Sequence, residues 1–346
     1  MAWWSWIECA AGFWLACVIL RDVFETVVVP GGTKGTLRAS RRFARMGLPI
    51  AKYVRHKGVG VNFAPIILVA AFMLWMCLLV LAFGLMTHAF ANTFTPHLDG
   101  FGHALYVAGG AMTTMGYGRT EPHGIGAVIA VASGFTGLAV MTMGVTYLLE
   151  VQSNISHRDT GVLKITTSAG RPPSAVALLE RHAKLGNRDE LLDIVRSGRD
   201  WCATVLQSHA SHPSLIYFRS AGTGSGWPAT LGALVDLALV LELVVDEPGL
   251  AGSAVFMREQ AILLSDEMSQ ILALGRAPLP DARPELAEVC ARLAAAGYKL
   301  RSELDPEVFE HRRQQEAALA EALSRHLGLP GAPLLPRPPG DAHSAS

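Results

Sequence analysis

The sequence predicts an all-α membrane protein: three transmembrane helices, a re-entrant helix and loop between the last two, and a helical cytosolic domain after them. Three observations carry that expectation. The 346-residue chain is 51% hydrophobic and 17% charged, against about 25% charged in a typical soluble domain. Its long uncharged stretches lie in the first half. After Glu150 the character changes, from ten Lys/Arg and six Asp/Glu in residues 1–150 to nineteen and twenty-three in residues 151–346. A net charge of zero therefore hides a basic first half and a mildly acidic second. No strong basic patch remains, so nucleic acid is not an expected partner.

Residues 1–30 form the first expected span. The start, MAWWSWIECAAGFWLACVIL, is apolar with aromatics at its outer end, and about 20 residues suffice to cross a hydrocarbon core. Trp3, Trp4 and Trp6 suit the headgroup level. The stretch lacks the basic opening of a secretory signal, so cleavage is not expected. The helix should run on through Arg21, Asp22 and Glu25 and stop before Pro30. Residues 31–60 then carry Lys34, Arg38, Arg41, Arg42, Arg45, Lys52, Arg55 and Lys57 with no acid. A short loop this one-sided is cytoplasmic by the positive-inside rule, which places the N-terminus outside.

A second span runs from Ile66 to Thr87 and a third from Gly124 to Leu149, both without charge. The third is rich in Gly, Ala, Ser and Thr, which permit close helix packing or line a cavity. The two spans are inverted, so their connection begins and ends outside. Its middle, Phe101 to Thr113, is too short to cross, so it must dip in and return. Irregular backbone at that depth is tolerated only where protein or water covers it.

Residues 153–328 are expected to form the cytosolic helical domain. The chain continues the third helix, passes a short extended piece before GRPPS, and turns helical from Ser174. Leu191, Leu192, Ile194, Val195, Trp201 and Val205 recur near 3.6-residue spacing. Further helices are expected over Pro228–Asp246, Ser253–Leu274, Pro284–Lys299 and Pro306–Leu327. LGALVDLALVLELVV, interrupted by Asp236 and Glu242, reads as the central helix of a soluble bundle rather than a fourth span. The Pro-rich tail, residues 329–346, is expected to be disordered. The five cysteines, Cys9, Cys17, Cys77, Cys202 and Cys290, show no CxxC or disulfide-like spacing.

The stretch that carries chemistry is MTTMGYGRTEP, Met112 to Pro122. Thr114, Met115, Gly116, Tyr117 and Gly118 spell T-x-G-Y-G, which matches the potassium-channel selectivity filter. The segment from about residue 61 to residue 152 resembles the outer-helix, pore-helix, filter and inner-helix module of prokaryotic potassium channels with a single pore loop, here with an extra N-terminal span. By chance the four fixed residues would match about once in 10⁵ positions, and this match falls where the topology demands a re-entrant loop. A filter needs successive backbone carbonyls aimed at one axis, where they replace a cation's hydration shell. Glycines at alternate positions supply the positive φ that this requires.

The resemblance implies that the carbonyls of Thr114, Met115, Gly116 and Tyr117, with the Thr114 hydroxyl, form the ion sites, and that Tyr117 points away to brace the loop on the pore helix. It implies a homotetramer, since one loop supplies a quarter of the ring. It also implies a multi-pass protein of the cell (cytoplasmic) membrane with its C-terminal domain in the cytoplasm, no cofactor beyond K+ as the permeant ion, and no enzymatic activity. Gly134 and Gly137 fall near the family's inner-helix bend, and Ser133, Thr136, Val140 and Thr142 are candidates to face the cavity.

The chain departs from the pattern at three places. Met115 replaces a branched residue, Gly109 and Gly110 stand where an acid often sits behind the filter, and Arg119 takes the usual place of Asp. A ring of Arg119 opposes cation entry unless Glu121 or Asp99 neutralises it. Arg119 therefore keeps open an alternative, a non-conducting membrane sensor or scaffold acting through its cytosolic domain. His88, His97, His103 and His123 all fall outside. No arginine ladder suggests a voltage sensor. His209-x-x-His212 lacks further metal ligands, and Gly222–Gly226 lacks a phosphate loop's strand and Lys, so it reads as a linker.

Overall fold

The structure, a computed structural model, describes residues 3–28, 63–220 and 224–336. The expected basic loop and the last ten residues of the expected tail lie outside the described residues. The chain divides into two compact units, Met1–Val151 and Gln152–Ser346.

The first unit contains α1 (Trp3–Val27), α2 (Phe63–Ala89), α3 (Gly100–Met112) and the opening part of α4 (Gly124–Ala169). Ile19 and Val23 of α1, Leu79 and Phe83 of α2, Met112 of α3 and Val140 of α4 share one buried core. Glu8, early in α1, lies 2.7 Å from His88 at the end of α2, and near the other end the Trp75 indole N–H donates to Asp22 at 2.8 Å. The two helices are therefore antiparallel. Gly12 allows their close approach, since a Cβ there would stand 2.5 Å from the Ala82 carbonyl oxygen.

Two short strands, β1 (Phe94–Thr95) and β2 (Glu121–Pro122), pair antiparallel before α3 and after the loop that follows it. His123 N–H also donates to the Thr93 carbonyl at 2.8 Å. Paired strands lie about 5 Å apart, so residues 96–120 leave and return at one level. The segment is re-entrant.

Three described helices are long and apolar enough to cross a membrane: Leu68–Ala89 within α2, α4, and a helix of the second unit, α7 (Gly226–Leu243). This set differs from the expected one. α1, 25 residues long, is not in it. α7 is buried on every side from Gly226 to Leu241, the condition of a central helix wrapped by its own bundle.

Around α7 stand the end of α4, α5 (Ala175–Leu185), α6 (Arg188–Ser211), α8 (Pro248–Leu272), α9 (Arg283–Ala295), α10 (Pro306–Glu316) and α11 (Ala318–Leu327). Asp236 inside α7 is held by the Arg313 guanidinium through two bonds of 2.9 and 3.2 Å. Arg158 of α4 donates to the carbonyls of Leu215 and Phe218 and to Asp159, fixing the turn after α6.

Two expectations are corrected here. The extended piece before GRPPS is helical, because α4 runs on to Ala169 and buries Val162, Ile165 and Ala169 on one face. Packing overrides the β-leaning residues, and Thr166 and Thr167 return their hydroxyls to carbonyls one turn back. Nor is the start of the tail disordered. Leu334 sits in the core, and its carbonyl accepts the buried Ser174 hydroxyl at 2.7 Å.

Candidate functional site

The T-x-G-Y-G residues form the loop that leaves the C-terminal end of α3. Their φ angles alternate in sign, with Thr114 at 58°, Gly116 at 80° and Gly118 at 67°, while Met115 and Tyr117 are not left-handed. In an ordinary strand successive carbonyls point in opposite directions; alternating handedness removes that alternation. For Thr114 the left-handed conformation is strained, at about 1–3 kcal/mol. Only glycines were expected to adopt it.

Hydrogen bonds tie this loop to α3. Thr113 N–H and its hydroxyl both donate to the Gly109 carbonyl, Thr114 N–H donates to Ala111, and Gly116 N–H donates to Gly110 at 3.2 Å. A Cβ on Gly110 would collide with the Gly116 carbonyl oxygen, with the carbonyl carbon behind it at 3.1 Å. The Gly116 carbonyl therefore faces α3. Tyr117 packs on Phe94, Leu98, Ala104 and Val107, so its ring braces the loop against α3. Met115 is 81% exposed, and Thr114, Gly116 and Gly118 are exposed with it.

α4 provides a seat for the same end of α3. Ser133 hydroxyl donates to the Ala108 carbonyl at 3.1 Å. A Cβ on Gly134 would stand 3.2 Å from the Ala111 carbonyl oxygen, and one on Gly137 would collide with that of Met112. These glycines admit the end of α3. Ser133 and Val140 are buried within the unit and not on an open face, which corrects two of the four cavity candidates. The exposed seam of α4 is Val131, Phe135, Leu138, Thr142, Val145 and Leu149, at alternating steps of four and three. Thr142 is the candidate that belongs to it; Thr136 is half-buried.

At the loop's far end Arg119 is exposed and makes no hydrogen bond or ion pair with any described residue, Glu121 and Asp99 included. His103 on α3 has its ring 3.5 Å from the Thr120 hydroxyl and accepts the Asp99 N–H. His88 pairs with Glu8 and stands edge-on to Phe101 at 5.7 Å. His97 and His123 are exposed.

Residues 75–154 match the family model described as an ion channel. This segment is similar to an ion channel domain. The match takes in the second half of α2, all of α3, the loop and α4 as far as residue 154. Searches of curated proteins and of solved structures found no match. With its apolar helices and channel domain, the chain is a multi-pass membrane protein.

Outside the channel domain, His209 is buried with its Nδ1 3.1 Å from the Ser208 hydroxyl and its ring 5.2 Å from Trp227. Burial, with the Arg158 charge nearby, pushes its pKa down to about 3. Of the glycine-rich linker, Gly224 and Gly226 are described, both with positive φ, and residues 221–223 lie outside the described residues.

Proposed function

We propose that the chain is the subunit of a potassium-selective channel that conducts K+ passively through a fourfold filter of Thr114, Met115, Gly116, Tyr117 and Gly118. The alternating φ signs at Thr114, Gly116 and Gly118 carry the reading. They occur in T-x-G-Y-G, inside the matched channel domain. Backbone carbonyls are a filter's ligands, and this handedness suits presenting them in register, with the Gly116 carbonyl, turned to α3 here, as the exception. One loop contributes a quarter of the ring, so the functional unit is a homotetramer. The exposed seam of α4, from Val131 to Leu149, is then the surface turned to the cavity and the other subunits.

The topology follows the charges. The N-terminus is outside, α1 is the first span, and the basic loop and helical domain are cytoplasmic in the cell membrane. Tryptophans at α1's outer end suit a headgroup position, and Asp22 keeps a hydrogen-bond partner in Trp75.

One observation favours a second reading, a non-conducting sensor or scaffold: Arg119 at the mouth has no partner among the described residues. Thallium flux into liposomes holding the purified protein separates the two. The channel reading predicts flux above protein-free liposomes. Absence of flux, with the protein inserted and assembled, would leave the scaffold.

A further inference from the structure

We propose that the helical domain binds one water molecule in a cavity between α7, α10 and α11, shared by the Ser324 hydroxyl and the Asp236–Arg313 pair. The site belongs to the second unit alone and does not depend on ion conduction.

The cavity measures about 10 Å³, close to the smallest space that holds a water. Asp236 of α7, Arg313 of α10 and Ser324 of α11 line it, and Gly232, Ala320 and Ala332 contribute apolar wall. Ala332 lies in the segment that follows α11, which Leu334 pins in the core.

Ser324 is fully buried, and its hydroxyl has no hydrogen-bond partner among the described residues. A buried hydroxyl left dry costs at least as much as a typical hydrogen bond contributes. The ion pair beside it also has capacity to spare. Arg313 commits three N–H groups, to the two Asp236 oxygens at 2.9 and 3.2 Å and to the Pro280 carbonyl at 3.5 Å. A guanidinium has about five such donors. Asp236 accepts two bonds, and a carboxylate has room for about four. Spare donors, spare acceptors and an unpaired hydroxyl therefore meet in a space of one molecule's size.

The chemistry selects the occupant. A cation would face the Arg313 guanidinium. An anion would face the carboxylates of Asp236 and of Glu321, which also lines the cavity and pairs with Arg325 at 2.8 Å. Water brings donors and acceptors without net charge, and a buried water typically makes about three hydrogen bonds. Ser324, Asp236 and Arg313 can supply them, which completes a buried polar network that is otherwise part-satisfied.

Ser324→Ala tests the sign. Removing an unpartnered buried hydroxyl stabilises, whereas removing one that is bonded to a water destabilises. Ser197→Ala is the control, since Ser197 is exposed on α6 and reports helix propensity alone. Denaturant unfolding of the full chain in detergent gives the folded-to-unfolded ratio of each protein. Relative to Ser197→Ala, Ser324→Ala should lower that ratio about fivefold, the factor for one hydrogen bond of ordinary net strength. An unchanged or raised ratio overturns the proposal.

A density map of wild type that resolves waters is the second measurement, and it decides alone if Ser324→Ala fails to fold. A peak is expected within hydrogen-bond distance of Ser324 Oγ and of Asp236 or Arg313. A cavity without density overturns the proposal. So does a Ser324 hydroxyl turned back to donate to the Ala320 carbonyl, even where Ser324→Ala destabilises.

Discussion

Gly118→Ala tests the backbone argument with the fewest side effects. Gly118 has φ 67°, and a Cβ there would meet nothing within 4 Å. The substitution thus adds no clash, only the penalty of an L-residue in left-handed conformation, about 1–2 kcal/mol. A working filter needs all four loops in that conformation at once, so the penalties sum to about 4–8 kcal/mol per tetramer. At a factor of 10 for each ~1.4 kcal/mol, the population of intact filters falls by about three to six decades. Gly124→Ala is the matched control: its φ is 52°, its Cβ would also meet open space, and it lies outside the loop. It should cost similar stability per subunit and leave selectivity alone. The assay is rubidium flux in liposomes at matched protein content, with assembly checked by size. Selective flux within tenfold of wild type in Gly118→Ala would refute the reasoning.

In the helical domain, Asp236→Ala strands the buried Arg313 charge and should cost about 3–5 kcal/mol, read as a large drop in the thermal transition of the full chain in detergent. His209 adds a pH dependence. Its folded pKa of about 3 lies below the usual ~6.5, so its contribution is complete above about pH 6.5. It is lost at about 1.4 kcal/mol per pH unit as pH falls toward 3. Denaturant unfolding between pH 7 and pH 5 should show that slope, and His209→Phe should flatten it by its share; His182, also pushed down by burial, keeps the rest. For topology, single cysteines in a cysteine-free background should label from outside at Asn92 and from the cytoplasm at Lys34 or Arg45; labelling of both from one face would overturn the orientation. At the mouth, Arg119→Asp should raise flux, most at low salt, where a ring of charge is least screened; flux unchanged at low salt would remove Arg119 from the ion path.

The re-entrant segment was legible because three independent constraints meet there: two inverted uncharged spans, a connection too short to cross, and a glycine pattern with one backbone purpose. The end of α3 was less legible. Gly110, Gly134 and Gly137 read as a departure and as bend positions, and only three-dimensional contact shows that each receives a carbonyl of the loop or of α3. Ser133 was ambiguous because small polar residues serve both cavities and helix packing; its bond to Ala108 shows it packed against α3. Thr114 could not be read as left-handed, since β-branched residues avoid that region. In the helical domain, local propensity misplaced the end of α4. A proline count misjudged residues 329–336, which are held by burial of Leu334 and by Ser174.

Concentrative rubidium uptake tests the central claim most directly. Liposomes holding the protein are loaded with K+, and the outside is exchanged for a K+-free medium with trace radioactive rubidium. A K+-selective path makes the interior negative and drives rubidium inward against its concentration, and the same liposomes loaded with Na+ should take up none. The account predicts uptake in the K+-loaded liposomes that collapses when K+ is added outside to match the interior, and that is absent in Gly118→Ala. Equal uptake from K+-loaded and Na+-loaded liposomes, or none from either with the protein assembled, would contradict it.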